Sequence, residues 1–269
     1  MYFRLWQLFR LLASFSGIVS IIFGVAFLDE KLSIIQCIAI VFIFLSLFLM
    51  RYQKQGFVSK VRRGLYCANN IATHLPEANK YQVASAITPN SYVAYHAAME
   101  YHGLAHQVYY DVAVGGEQAF NSFEFDGIHF TFRQIPTHIG IDTPIADSHV
   151  RVTNVERTVI DCIDRIDLCG GWEELTNCLM SVQYLREEML LTILQTYNKI
   201  ALYKKVGFLF EQLHLPVSSN LIDTCKQYAK ESVTYLTSDG DSDTFSAAWR
   251  LYAPKNLLTI NQHNPDELV

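Results

Sequence analysis

No G-x-S-x-G elbow, no phosphate-binding glycine loop and no dinucleotide fingerprint occurs in the 269 residues. These absences remove the signatures of serine hydrolases, P-loop nucleotide hydrolases and Rossmann dehydrogenases. Gly115-Gly116 follows a strand-like run but is too short to cradle a phosphate. The six cysteines, Cys37, Cys67, Cys162, Cys169, Cys178 and Cys225, contain no C-x-x-C pair, and reduced thiols in or near the core are expected. Positive charge is scarce over most of the chain: Gly64 to Val269 hold 13 Lys plus Arg against 24 Asp plus Glu, a net of −11. A body that acidic repels phosphate. His102 and His106 are four apart, but Gly103 between them should break a helix and spoil a metal pair. Asp239, Asp241 and Asp243 begin like a calcium loop, yet Thr244 stands where glycine is needed and Arg250 where glutamate is needed. No metal, no cofactor and no catalytic nucleophile is therefore expected.

Long apolar runs, by contrast, open the chain. Leu11 to Leu28 is 18 consecutive uncharged residues and Leu32 to Met50 is 19 more. As helices each is about 27–29 Å long, close to the hydrocarbon thickness of a bilayer. The second run has 13 residues of the Leu, Ile, Val and Phe kind. Their insertion free energies sum to roughly −4 to −8 kcal/mol before the polar residues are counted. Arg4 and Arg10 precede the pair and Arg51, Lys54, Lys60, Arg62 and Arg63 follow it, while the Asp29-Glu30-Lys31 link carries one cation. This pattern predicts a transmembrane hairpin within residues 5–50, both ends cytoplasmic, at the inner membrane. The second apolar run also falls where a secreted mature chain would begin, which argues against a cleaved signal. A buried hairpin in a cytoplasmic protein is the alternative. Residues 20 to 49, with the link Leu28-Asp29-Glu30-Lys31-Leu32-Ser33, resemble the last two helices of EamA-type drug/metabolite transporters. Two helices cannot enclose a substrate path, so no transport is implied.

The most structured run is VRVTNVERTVIDCIDRIDLCGG, residues 150 to 171. Val150 and Val152 alternate with polar neighbours, as in a half-buried strand. Thr153 followed by Glu156 has the form of a capping box, so a helix should begin near Asn154. Val155, Val159, Ile163 and Ile166 fall on one helical face, with Arg157, Asp161, Asp164 and Arg165 pointing elsewhere. Asp161 can pair with Arg157 or Arg165 at i,i+4, and Gly170 and Gly171 should end the helix. Glu156, Arg157 and Asp161 are better explained as cap and scaffold than as catalysts.

Upstream of this helix lie SYVAYHAAMEYHGL (91 to 104) and FEFDGIHFTF; downstream lie YKKVGFLFEQLHL (203 to 215) and a late AWRLY. In that order and spacing, over roughly residues 56 to 260, the chain resembles the AbiEi family of type IV toxin-antitoxin antitoxins and transcriptional regulators. The ER-T-[VI]-I-D…GG run is the most specific part. The resemblance implies a winged helix-turn-helix followed by an α/β domain, repression of the chain's own operon, and neutralisation of a nucleotidyltransferase-like toxin. It implies a regulator and not an enzyme. GFVSKVRRGLYCA (56 to 68) resembles the wing and last strand of the winged helix, but apolar sequence stands where its preceding helices should be. A recognition helix must show polar and cationic side chains to a groove.

The expected architecture is thus a mixed α/β soluble domain with antiparallel hairpins, preceded by a two-helix transmembrane hairpin, with a winged-helix remnant at the junction. Residues 1–52 form the hairpin, 53–80 the basic linker and wing, and 81–269 the antitoxin domain. Phe123 and Phe125 should face Ile128, Phe130 and Phe132 across an Asp126-Gly127 turn. Val108 to Val114, Ser232 to Leu236 and Ala248 to Tyr252 read as strands. Glu173 to Leu194 reads as two helices, Tyr203 to Leu213 as another and Ser238 to Phe245 as a loop. The basic run Arg51, Lys54, Lys60, Arg62 and Arg63 can meet lipid headgroups, meet DNA phosphate, or stay solvated.

Overall fold

The computed structural model describes residues 33–257 apart from 55, 136, 231, 238–242 and 256. The chain divides into two units, Met1–Glu77 and Ala78–Val269.

In the first unit, helix α1 (Ile34–Lys54) is followed by a hairpin of β1 (Val58–Arg62) and β2 (Leu65–Ala68), antiparallel with Val58 opposite Ala68. The hairpin occupies the stretch that resembles a wing. Asn69 closes its base, bridging to Pro76 and donating from Nδ2 to the Gly56 carbonyl at 2.9 Å.

The transmembrane hairpin is not what the structure supports. Its first run, Leu11 to Leu28, and the flanking Arg4, Arg10 and Asp29-Glu30-Lys31 lie outside the described residues. Among the described residues no helix is long and apolar enough to cross a membrane. In α1 the apolar stretch begins at Ile34 and the last four residues are Arg51, Tyr52, Gln53 and Lys54. What remains apolar spans about 25 Å, short of a hydrocarbon core of about 30 Å. The inner-membrane placement falls with it.

The second unit is mixed α/β. Its six-stranded sheet has the order β5-β6-β4-β3-β8-β7, built from β3 (Tyr92–Ala94), β4 (Asp111–Gly115), β5 (Phe123–Phe125), β6 (Ile128–Phe132), β7 (Ile141–Asp142) and β8 (Val152–Thr153). β4 runs parallel to β6 and β3 parallel to β8; the other neighbours are antiparallel. The expected Asp126-Gly127 turn is present: Phe123 faces Phe130, Phe125 faces Ile128, and both turn residues have positive φ, 51° and 74°. Asparagine, aspartate and glycine tolerate that conformation, and its twist matches the flanking strands.

Helices cover the sheet. α2 (Lys80–Ala86) carries a capping box of its own, Asn79 with Gln82, and α3 (His96–Tyr101) follows β3 directly. α4 (Val155–Asp164), α5 (Gly171–Met180), α6 (Glu187–Tyr197), α7 (Ile200–Gln212) and α8 (Ser219–Gln227) form the helical layer. α4 packs on α6 and α7, and α7 on α8. A small sheet of β9 (Thr234–Tyr235), β10 (Thr244–Ser246) and β11 (Leu251–Ala253) completes the unit, with β11 central. Thr244 and Phe245, the first two residues of β10, fall at the end of the stretch read as a loop; of that stretch, residues 238–242, with Asp239 and Asp241, lie outside the described residues.

Val159, Ile160, Ile163, Leu179, Ile193, Leu194, Val206 and Phe208 are wholly buried between these helices. At about 25 cal/mol per Å² of apolar surface, each contributes on the order of 1.5–3 kcal/mol.

Candidate functional site

Helix α4 begins where expected but with a different cap. Asn154 is the N-cap, and its side chain accepts from the Arg157 backbone N–H at 2.9 Å. Thr153 is instead the buried end of β8, its hydroxyl 2.7 Å from that of Thr158. The reason is register: a cap side chain reaches the third helical residue, which is Arg157 when the chain is extended through Asn154. Glu156 is then one position too early to reach back, and it turns to Arg186, taking the guanidinium at 2.8 Å and the Arg186 backbone N–H at 2.9 Å. Burial raises the Glu156 carboxyl, but the Arg186 contacts outweigh it and hold it below the usual carboxylate range. The helix also stops at Asp164; Ile166–Cys169 is a 3-10 turn ended by Gly170 in the left-handed conformation.

Arg157 and Asp161 lie away from the apolar face, yet neither reaches solvent. Both are buried, paired Nε to Oδ1 at 2.7 Å across the expected i,i+4 step. Arg157 also donates to the carbonyls of Ile139 at 2.8 Å and Thr137 at 3.0 Å, and Tyr197 donates its hydroxyl to Asp161 Oδ1. The guanidinium thus ties the loop after β6 to α4 and α6.

Burial pushes the Asp161 carboxyl up to about 6, more than Arg157 and Tyr197 pull it down. An unfolded aspartate titrates near 3.9, so the native chain binds the extra proton between about pH 4 and 6 and stability falls as pH rises through that window. Asp161→Asn is expected to flatten this limb. Denaturation midpoints measured at half-unit pH steps check it, and an unchanged difference between the two proteins across the window would refute it.

Gly170 has two reasons to be glycine. Its φ is 79°, and a Cβ there would lie 2.3 Å from the Tyr109 hydroxyl oxygen. Gly170→Ala is expected to cost about 2–5 kcal/mol, from left-handed strain of about 1–2 and overpacking of about 1–3. Guanidinium denaturation measures it; a loss under about 1 kcal/mol would mean Tyr109 moves freely.

Tyr109 leads to a cluster that sequence spacing did not reveal. Its ring meets His96 edge-on at 4.3 Å, and its hydroxyl donates to Gln107. His96 Nε2 lies 3.2 Å from Glu174 Oε1, and that oxygen also accepts from the backbone N–H groups of His106 at 2.9 Å and Gln107 at 3.0 Å. Cys178, one turn along α5, points its thiol at Oε1 from 3.4 Å. Glu174 Oε2 and His96 Nδ1 are buried with no hydrogen-bond partner. Burial pushes His96 down, more than Glu174 pulls it up, and burial pushes the Cys178 thiol up to about 12. His96, Glu174 and Cys178 are the group that could hold a metal among the described residues. Glu174 to Cys178 is a legible i,i+4 step, but His96 lies 78 residues before Glu174. His102 and His106 do not meet: one contacts the Thr153 carbonyl at 2.7 Å, the other the Ser181 hydroxyl at 2.9 Å.

Two cavities flank this region. One of about 270 Å³ is lined by His96, Tyr109, Asp111, Thr131, Arg133 and Gly170. Another of about 650 Å³ is lined by Arg165, Gly171, Trp172, Lys205, Tyr235 and Thr237. Burial holds the Lys205 ammonium below the usual lysine range.

The cationic candidates lie in the first unit. Arg51 is exposed on α1 and Lys54 is its last residue; Lys60 and Arg63 are exposed on the β1–β2 hairpin and Arg62 is half-buried there. The hairpin brings Lys60, Arg62 and Arg63 together. The Thr153, Glu156, Arg157, Asp161, Gly170 and Gly171 set belongs to the second unit and is wholly in or beside the core.

No protein-family model matches the chain and no curated protein matches it. Among solved structures it is similar to protein Rv2827c from Mycobacterium tuberculosis, with a TM-score of 0.59 and 13% identity over 81% of this chain and 83% of that one. At that identity the likeness establishes a common fold and nothing about activity.

Proposed function

We propose that the chain is an AbiEi-like antitoxin that acts by binding a nucleotidyltransferase-like toxin. The observation that carries this reading is the fate of the ER-T-V-I-D…GG run, which bears the family resemblance. Glu156 is tied to Arg186, Arg157 to Asp161 and two carbonyls, and Gly170 to the packing of Tyr109. Charges committed to internal pairs, with Arg157–Asp161 buried on both sides, build a scaffold, and a scaffold of this kind acts through the surface it presents rather than through catalysis. The test is growth. The full chain, co-expressed with the toxin gene next to its own, is expected to restore colony formation. Persistent toxicity with the chain folded and abundant would remove the reading.

A second reading, a DNA-binding repressor, is favoured by one feature: the β1–β2 hairpin holds Lys60, Arg62 and Arg63 in a short stretch with no acid. It predicts a promoter-DNA shift that weakens with salt, with a log-log slope near −0.9 per phosphate neutralised. No shift at low salt would dismiss it.

A further inference from the structure

We propose that His96, Glu174 and Cys178 form a buried three-ligand site for zinc or a similar borderline dication. The three residues are each buried, and their donor atoms all lie within 4.8 Å of one another. A tetrahedral zinc with bonds of about 2.0–2.3 Å separates its ligand atoms by about 3.3–3.8 Å. His96 Nε2 and Cys178 Sγ both lie against the Glu174 carboxylate, 3.2 and 3.4 Å from Oε1, the oxygen beside the one left for the metal.

Hydrogen bonding around Glu174 is lopsided in a way that a cation would resolve. Oε1 is crowded by His96, two backbone N–H groups and Cys178, while Oε2 is buried without any donor. A buried carboxylate oxygen lacking a partner costs about 1–3 kcal/mol or more, because it leaves water with no replacement. A metal on Oε2 supplies that replacement, and the His106 and Gln107 amides on Oε1 then orient the ligating carboxylate as outer-shell donors do.

The backbone is arranged to match. Glu174 and Cys178 project from one face of α5 at an i,i+4 step, as metal pairs on helices do. His96 is placed by a turn at Tyr95, whose φ of 56° and ψ of −137° are unfavourable for a side chain larger than glycine. Strain of that kind persists where the surroundings hold a residue in a required position. Imidazole, carboxylate and thiolate together suit zinc better than magnesium or calcium, which take oxygen ligands.

Binding exchanges a proton for the metal. The Sγ–H bond of Cys178 breaks, the Sγ–metal bond forms, and the proton leaves to solvent. Three protein ligands leave a fourth position for a water, and the 270 Å³ cavity that His96 lines provides the approach.

The test uses the full chain loaded with zinc and passed through gel filtration. X-ray absorption at the zinc edge should show one sulfur at about 2.3 Å and nitrogen or oxygen ligands at about 2.0–2.2 Å. Cys178→Ser should lose the sulfur and weaken zinc in chelator competition by more than about tenfold, whereas Cys169→Ser should keep both. Should Cys178→Ser fail to fold, His96→Gln should keep the sulfur with a similar loss of affinity. Zinc lost on the column, two or more sulfurs per zinc, or undiminished affinity in Cys178→Ser would each overturn the proposal.

Discussion

Arg157→Met is expected to destabilise the second unit by about 3–5 kcal/mol, a large part of the stability of an ordinary domain. Methionine fills most of the space, so the loss is electrostatic. Asp161 would remain buried without its cation, and the Thr137 and Ile139 carbonyls would lose their donors. Asp161 has one escape, protonation, which its elevated position near pH 6 makes easy. The penalty should therefore be larger at pH 8 than at pH 5. The double substitution Arg157→Met with Asp161→Leu should cost less than the sum of the single ones, because no unpaired charge remains. Denaturation followed by near-ultraviolet circular dichroism at both pH values measures this. A cost independent of pH, or single costs that simply add, would show that the guanidinium acts only by its bulk.

The same pair shows where sequence legibility stops. Val159 and Ile163 were recognisable as core from their spacing, and the i,i+4 partnership of Arg157 with Asp161 was recognisable from charge. Which way that partnership faced was not, because α4 is enclosed on several sides: by α6 and α7, by α3, and by the loop that donates the Thr137 and Ile139 carbonyls. A helix with two covered faces buries its polar stripe too, and periodicity assigns that stripe to water. The Asp126-Gly127 hairpin was legible because its signal is local. The His96–Glu174–Cys178 group was not, because its members meet only after β3, α3 and α5 have packed. The Asn79–Gln82 capping box is equally local, while Thr153 and Glu156 match the pattern without forming it. The second apolar run shows the opposite limit, since hydropathy measures a run and not the helix, Ile34–Lys54, that the described residues form.

Trp249→Ala is the other change with a large expected effect, about 3–5 kcal/mol, and its cause lies 42 positions earlier in the chain. Gly207 sits in the middle of α7, where glycine costs about 1 kcal/mol relative to alanine. The compensation is a notch. A Cβ on Gly207 would meet Trp249 Cη2 at 2.3 Å and Cys225 Cβ at 2.6 Å. Trp249 fills the notch and donates its indole N–H to Glu211 at 2.6 Å, and Glu211 also holds Lys226. Lys226 in turn lies 5.4 Å over the indole ring. This contact joins the small sheet to α7 and α8, and it links YKKVGFLFEQLHL to AWRLY, two runs that carry the family resemblance. Gly207→Leu alone should be strongly destabilising, since the notch would be filled and the indole displaced. With Trp249→Ala, however, the leucine occupies space that the indole has left. The double variant should then be more stable than the sum of the single costs by more than about 1 kcal/mol, the size of coupling seen between residues that share a cavity. Guanidinium titrations of the four proteins give that coupling directly. Strict additivity would mean that the glycine is there for some reason other than the tryptophan.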